Sequence, residues 1–215
     1  MFADRRDAGR ALARKLARYE NCEEAVILAV PRGGVAVGAV LADELGLPLD
    51  VILTKKIGHP NNPEFAIGSV SLTGESVDAE TIEREGIPMH AVESAIAHVR
   101  ECLWQRYRMY RGASLPPKVS GKTVILADDG AATGHTLLAA IELLRRDGAG
   151  KIVVAIPVAP PDTARALESA ADDCVCLATP ADFMAVGQYY RDFAQVSDEE
   201  ALALLRRKAP GAPRV

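Results

Sequence analysis

Two neighbouring aspartates, Asp128 and Asp129, close the apolar run Val124-Ile125-Leu126-Ala127 and open onto Gly130-Ala131-Ala132-Thr133-Gly134-His135-Thr136. Gly130 and Gly134 remove side chains where a backbone must approach a ligand, and Ala131 and Ala132 add little bulk. Thr133 and Thr136 supply hydroxyl donors. An apolar helical pattern begins near Leu137, so the turn feeds a helix N-terminus, where free N–H groups and the helix dipole favour an anion. A phosphate monoester fits such a nest. Two carboxylates beside it would repel it, unless the same ligand also offers hydroxyl donors or a magnesium ion that both acids hold through water. A phosphorylated ribose has both features. The stretch has neither the Gly-Lys-Ser/Thr of a Walker A loop nor the Gly-x-Gly-x-x-Gly of a dinucleotide turn. An isolated Asp-Asp-Gly would merely cap a turn; hydrophobics, two acids, small residues and Thr-Gly-x-Thr in one register favour binding.

Other chemistry-bearing residues sit at similar places. Pro31-Arg32-Gly33-Gly34 ends the apolar run 25–30, and Arg32 is suited to bidentate contact with an oxyanion. Lys55 and Lys56 follow a second apolar run, where two solvated lysines would also be ordinary. His59 and Glu64 are candidates for proton transfer and equally ordinary surface residues. Phe183, Tyr189 and Tyr190 concentrate much of the aromatic content in 182–193, and such rings serve either to stack on a flat ligand or to pack a cover onto a sheet.

The elements that must hold these residues follow from periodicity. Residues 4–19 form an amphipathic helix. Runs 25–30, 49–53, 123–127, 151–158 and 174–178 read as strands, the first buried on both faces. Helices are expected at 35–45, 137–146, 161–170 and 198–207. Gly, Pro and Asn make 55–63 a loop, and 65–71 reads as an edge-pairing segment. Residues 75–118, with a helix over 90–110, are long enough to be an inserted flap. Strand and helix alternating in this way define an α/β fold, a mostly parallel doubly wound sheet flanked by helices. Ligands in such sheets lie at the carboxyl ends of the strands. The whole of 1–215 reads as one domain, with 179–215 as a small hood and terminal helix.

A formal charge of -4 and the lack of a basic run argue against a nucleic-acid partner. No apolar stretch at the start reads as a secretion signal, and none is long enough for a bilayer, so a cytoplasmic protein without a membrane partner is expected. Cys22, Cys102, Cys174 and Cys176 lack zinc spacing and are expected as buried, reduced thiols.

The segment 124–136 resembles the phosphoribosyl pyrophosphate (PRPP) signature of type I phosphoribosyltransferases: an apolar strand, two acidic residues and a loop ending in Thr-Gly-x-Thr. The resemblance implies that Asp128 and Asp129 bind the ribose hydroxyls. It implies that Gly130, Ala131, Ala132, Thr133, Gly134 and Thr136 hold the 5-phosphate. Arg32 and Gly33 would belong to the pyrophosphate loop, and one of Lys55 and Lys56 would approach the pyrophosphate. Catalysis would then rest on Asp128, Asp129, Arg32 and Lys56, with Mg2+ held mainly by the ligand near the two acids. Residues 182–193 look like the hood over the acceptor, where Phe183 or Tyr189 (or Tyr190) would stack. The resemblance thus implies a salvage-type transfer of the 5-phosphoribosyl group to a nitrogen acceptor such as a nucleobase, and commonly a homodimer. One departure matters: Ala132 stands where 6-oxopurine transferases carry a general-base aspartate, so that subclass is not implied. A PRPP-sensing regulator is the alternative; a PRPP synthetase would need a longer chain with two related domains.

Overall fold

The computed structural model describes residues 1–60 and 62–207, without the side chains of residues 63, 64 and 207. Positions 208–215 of the expected terminal segment, and the Glu64 side chain, therefore lie outside the described residues. Five strands form one sheet: β1 (Ala25–Ala29), β2 (Leu49–Val51), β6 (Thr123–Ala127), β7 (Lys151–Val158) and β8 (Asp173–Ala178). They run in the order β2-β1-β6-β7-β8, and every neighbouring pair is parallel. Alternate residues serve opposite faces. Ile27, Ala29, Ile125, Ala127, Val153 and Ala155 pack with α1 (Arg5–Lys15), α2 (Gly33–Leu45), α4 (Met89–Arg111) and α7 (Asp198–Arg207). Val26, Leu28, Val124, Leu126, Ile152 and Val154 pack with α5 (His135–Arg146) and α6 (Pro161–Ala170). The doubly wound α/β expectation holds. It holds because central strands buried on both faces need unbroken apolar runs, as β1 has throughout and β6 has from Val124 to Ala127.

The chain steps from β1 to β2 on one side and returns with β6 on the other. The β1–β6 border is thus the topological switch point, where a crevice opens at the carboxyl ends. Ala29 pairs with Ala127 there, and the Val30 amide donates to the Ala127 carbonyl at 2.9 Å. The loops at Pro31 and Asp128 leave side by side.

The expected loop at 55–63 is overturned. Lys55–His59 is β3 and pairs antiparallel with β4 (Asn62–Val70), which pairs with β5 (Glu75–Val77) in a separate sheet. Gly and Asn weighed toward a loop, but the buried Ile57, Ile67 and Val70 tie the ribbon to the core. The register slips between Ile57 and His59 absorb Gly58 as an irregularity. The second parallel strand accordingly ends at Val51, earlier than expected, and Lys55 and Lys56 open the hairpin. Within 75–118 lie β5, α3 (Ala79–Arg84) and α4. The latter packs Val92, Ile96, Leu103 and Tyr107 into the core and contacts α7.

Candidate active site

β6 delivers the acid pair to the crevice. The Asp129 amide donates to Asp128 Oδ1 at 2.8 Å, which holds the Asp128 carboxyl group against the backbone of its neighbour. Desolvation, reinforced by the charge of Asp129, pushes the Asp128 carboxyl well above the usual carboxylate range. The Asp129 carboxylate reaches across to the β1 loop. A Cβ on Gly33 would fall 1.9 Å from Asp129 Oδ2, and one on Gly34 would fall 2.8 Å from the Ala127 carbonyl oxygen. Both glycines are therefore demanded by the contact between the loops, and Gly33 opens α2. The Pro31–Arg32 peptide beside them is cis.

Beyond the acids the chain makes the turn that the glycines foretold. Gly134, at φ 71°, is the left-handed residue before α5, and a Cβ there would meet Thr163. Thr163 also donates its hydroxyl to the Ala132 carbonyl at 2.8 Å, holding the loop onto α6. The amides of Ala132, Thr133 and Gly134 have no protein acceptor among the described residues, and no side chain caps α5. Thr133 and Thr136 are exposed beside them. These are the uncommitted donors that an anion at a helix N-terminus requires. Ala131 is a correction. It is buried and its amide donates to the Val158 carbonyl at 3.0 Å, so it anchors the loop to β7.

The hood closes one side. Its 3-10 turn, Val186–Tyr189, sits on Gly130, where a Cβ would be 2.6 Å from Val186 Cγ1. Phe183 and Tyr189 stack on one another with centroids 5.7 Å apart. Tyr190 is buried and its hydroxyl donates to the Asp129 carbonyl at 2.6 Å, so this ring braces the acid loop and is removed from the stacking candidates. Desolvation, with the charge of Asp129 next, raises the Tyr190 phenol and keeps it a donor.

The remaining candidates are less gathered. Arg32 Nη1 lies 3.6 Å from Asp198 Oδ2 on α7, and Asp198 also accepts from the Tyr110 hydroxyl at 2.8 Å. Lys55 and Lys56 are exposed on β3. His59 faces the Phe65 ring at 6.1 Å. Among the described residues no three His, Cys, Asp or Glu side chains form a metal cluster. Nor is any helix long and apolar enough to cross a membrane. All four cysteines are free and half-buried, and desolvation pushes the Cys174 thiol up to about 12.

Sequence reasoning missed Arg5. Its Nε lies 2.7 Å from Asp129 Oδ2 although 124 residues separate them. Spacing carries no signal over such a distance; an arginine in the first turn of an amphipathic helix looks like any solvated charge.

An acid pair and a turn of uncommitted amides thus meet at the switch point of a parallel sheet. Residues 3–194 match the model of the phosphoribosyl transferase domain, and the chain belongs to that family. Two curated Mycobacterium tuberculosis proteins, MT0597 (strain CDC 1551 / Oshkosh) and Rv0571c (strain H37Rv), are named provisionally as phosphoribosyl transferases. Each is 41% identical over 211 residues, which is 96% of this chain and 47% of the relative. The chain thus spans about half the length of the curated relatives it matches. The crystal structure of TT1426 from Thermus thermophilus superposes with a TM-score of 0.85 at 39% identity, covering 98% of this chain and 100% of that one.

Proposed function

We propose that this protein transfers the 5-phosphoribosyl group from PRPP to a nitrogen acceptor, a nucleobase, with release of pyrophosphate. The observation that carries the proposal is the meeting of two loops, the Asp129 carboxylate lying against Gly33 at the β1–β6 border. The uncommitted amides of 132–134 and the hydroxyls of Thr133 and Thr136 take the 5-phosphate. Asp128 and Asp129 accept from the ribose hydroxyls. Arg32, with Lys55 or Lys56 from the hairpin, takes the pyrophosphate. The anomeric C–O bond breaks as the acceptor nitrogen bonds to that carbon, and anchoring both ends of the sugar holds the reacting atoms in line.

The carboxyl oxygens of Asp128 and Asp129 are of the hard donor type that a magnesium ion takes together with ligand oxygens. Mg2+ bound there would neutralise charge on the departing pyrophosphate. Ala132 cannot take the acceptor's proton, so that proton leaves to solvent or to the leaving group. A cytoplasmic setting and a homodimer belong to the same proposal. Of the hood rings, Phe183 and Tyr189 are the acceptor-stacking candidates.

Pyrophosphate release, measured with PRPP, Mg2+ and a panel of purines and pyrimidines, tests this. Release that depends on an acceptor is expected. Tight PRPP binding without release across the panel would favour a PRPP-sensing regulator, and absence of PRPP binding would sink both readings.

Gly33→Ala provides a sharper check on geometry. Its Cβ would occupy the space of Asp129 Oδ2, so the acid or the loop must shift. A displacement of this order should lower kcat/KM by about a hundredfold. Steady-state kinetics beside a thermal melt would show it, and unchanged kinetics would mean that the contact is incidental.

A further inference from the structure

Resting on that reading, we infer that Arg5 is a positioning residue for Asp129: it clamps one carboxylate oxygen, cancels its charge, and leaves the other oxygen to receive a ribose hydroxyl. The guanidinium is held on several sides. Its Nε donates to Asp129 Oδ2 at 2.7 Å, its Nη1 donates to the Ala194 carbonyl at 2.8 Å, and its central carbon lies 3.9 Å from the centroid of the Phe193 ring. The side chains of the pair are 11% and 15% exposed, so solvent screens this bridge less than a surface one. A charge-assisted bond of this length is among the stronger kinds.

The position is unusual for a cation. Arg5 is the first residue of α1, where the positive end of the helix dipole disfavours it. Asp4 caps that helix through the Asp7 amide at 2.7 Å, so Arg5 is not needed to start it. What the placement does achieve is at the site. A ligand bearing phosphates would otherwise face two adjacent carboxylates, and Arg5 removes one negative charge from that encounter. With Oδ2 engaged, the Asp129 carboxylate is oriented against Gly33, where the β1 loop has no side chain. The groups around Asp129 are Asp128 on its own loop, Arg5 from α1, and Tyr190 from the hood.

The clamp is itself stitched to the hood. The Phe2 amide donates to the Tyr189 carbonyl at 2.8 Å, the Arg191 amide to the Phe2 carbonyl at 2.9 Å, and the Asp192 amide to the Ala3 carbonyl at 3.0 Å. Residues 2–5 therefore join the acid pair to the cover over the acceptor. A simple structural tie between helix and hood is met by the Phe2 and Ala3 bonds with the Arg5 contacts to Ala194 and Phe193, and would not need the same charge to reach Asp129.

Arg5→Ala and Arg5→Lys separate the two roles. For Arg5→Ala the KM for PRPP should rise at least about tenfold, with a smaller change in kcat, and Arg5→Lys should recover part of the loss by keeping the charge. A purely structural tie predicts a lower melting temperature with an unchanged KM, and that result overturns the inference. If Arg5→Ala does not fold, Arg5→Lys carries the comparison: its charge without the planar fork should give an intermediate KM, and wild-type KM would overturn the proposal. A ligand-free crystal structure of the variant gives an independent reading. The Asp129 carboxylate should leave its place beside Gly33, and if it stays there, Arg5 does not position it. Should the wild-type protein fail to bind PRPP, the proposed function falls, while the crystal structure still judges the role of Arg5.

Discussion

The double variant Asp128→Asn, Asp129→Asn is expected to lose turnover by about 10³-fold or more while remaining folded. Both carboxyl groups lie at the switch point, and amides would replace them with weaker acceptors for the sugar hydroxyls. The loss should therefore exceed that of either single change. The two singles should differ in stability. Asp128 has its folded value raised by desolvation and by Asp129, so the native state prefers the protonated form. That preference contributes fully below the unfolded value and is lost as pH rises through the folded one. A permanently neutral amide at this position escapes that loss, so Asp128→Asn should be neutral or stabilising at pH 7. Asp129→Asn leaves Arg5 without its anion and should be the more destabilising change. Pyrophosphate release and thermal melts on the three proteins would show the pattern, and full turnover in the double variant would defeat the assignment.

Arg111→Met is expected to destabilise the fold by about 3–5 kcal/mol at pH 7, because it strands a buried carboxylate. Asp50 on β2 is 1% exposed. It accepts from the Val51 amide at 2.7 Å and from the Tyr107 hydroxyl at 3.1 Å. Arg111 Nε, at the end of α4, lies 3.2 Å from Asp50 Oδ1 without the alignment of a hydrogen bond, and its Nη1 donates to the Leu205 carbonyl at 3.2 Å. One buried ion pair thus joins the edge strand, α4 and α7. Desolvation already raises the Asp50 carboxyl, and Arg111 is the largest influence holding it down. Without Arg111 the folded value rises further. The cost should accordingly be greatest near neutrality and shrink as pH falls and Asp50 takes up a proton. Adding Asp50→Asn to Arg111→Met should restore much of the loss. Urea unfolding at pH 5 and pH 7.5 would measure both effects, and a small cost that does not vary with pH would show that the pair is dispensable.

Local pattern alone was enough for the frame. The apolar runs that became β1, β6 and β7, the helix that became α6, and the Asp-Asp-Gly turn into α5 were all readable because each depends on residues adjacent in the chain. The turn of uncommitted amides is of this kind, since its glycines and its helix start lie within one short segment. The hairpin β3–β4 was misread because its turn-like residues spoke locally, while its pairing of Lys55 with Val70 and the burial of Ile57 depended on distant partners. The resemblance put Ala131 among the phosphate-binding residues, yet the end of β7 claims its amide.

Long-range contacts account for the rest. Arg5 on Asp129, Tyr190 on the same residue, and Arg111 on Asp50 each join residues scores of positions apart, and no periodicity encodes which charge will meet which. Residue order was sufficient to place two acids beside a glycine turn. Folding had to bring an arginine and a tyrosine onto one of them, because partner choice between buried charges depends on which surfaces the packed helices and hood bring together.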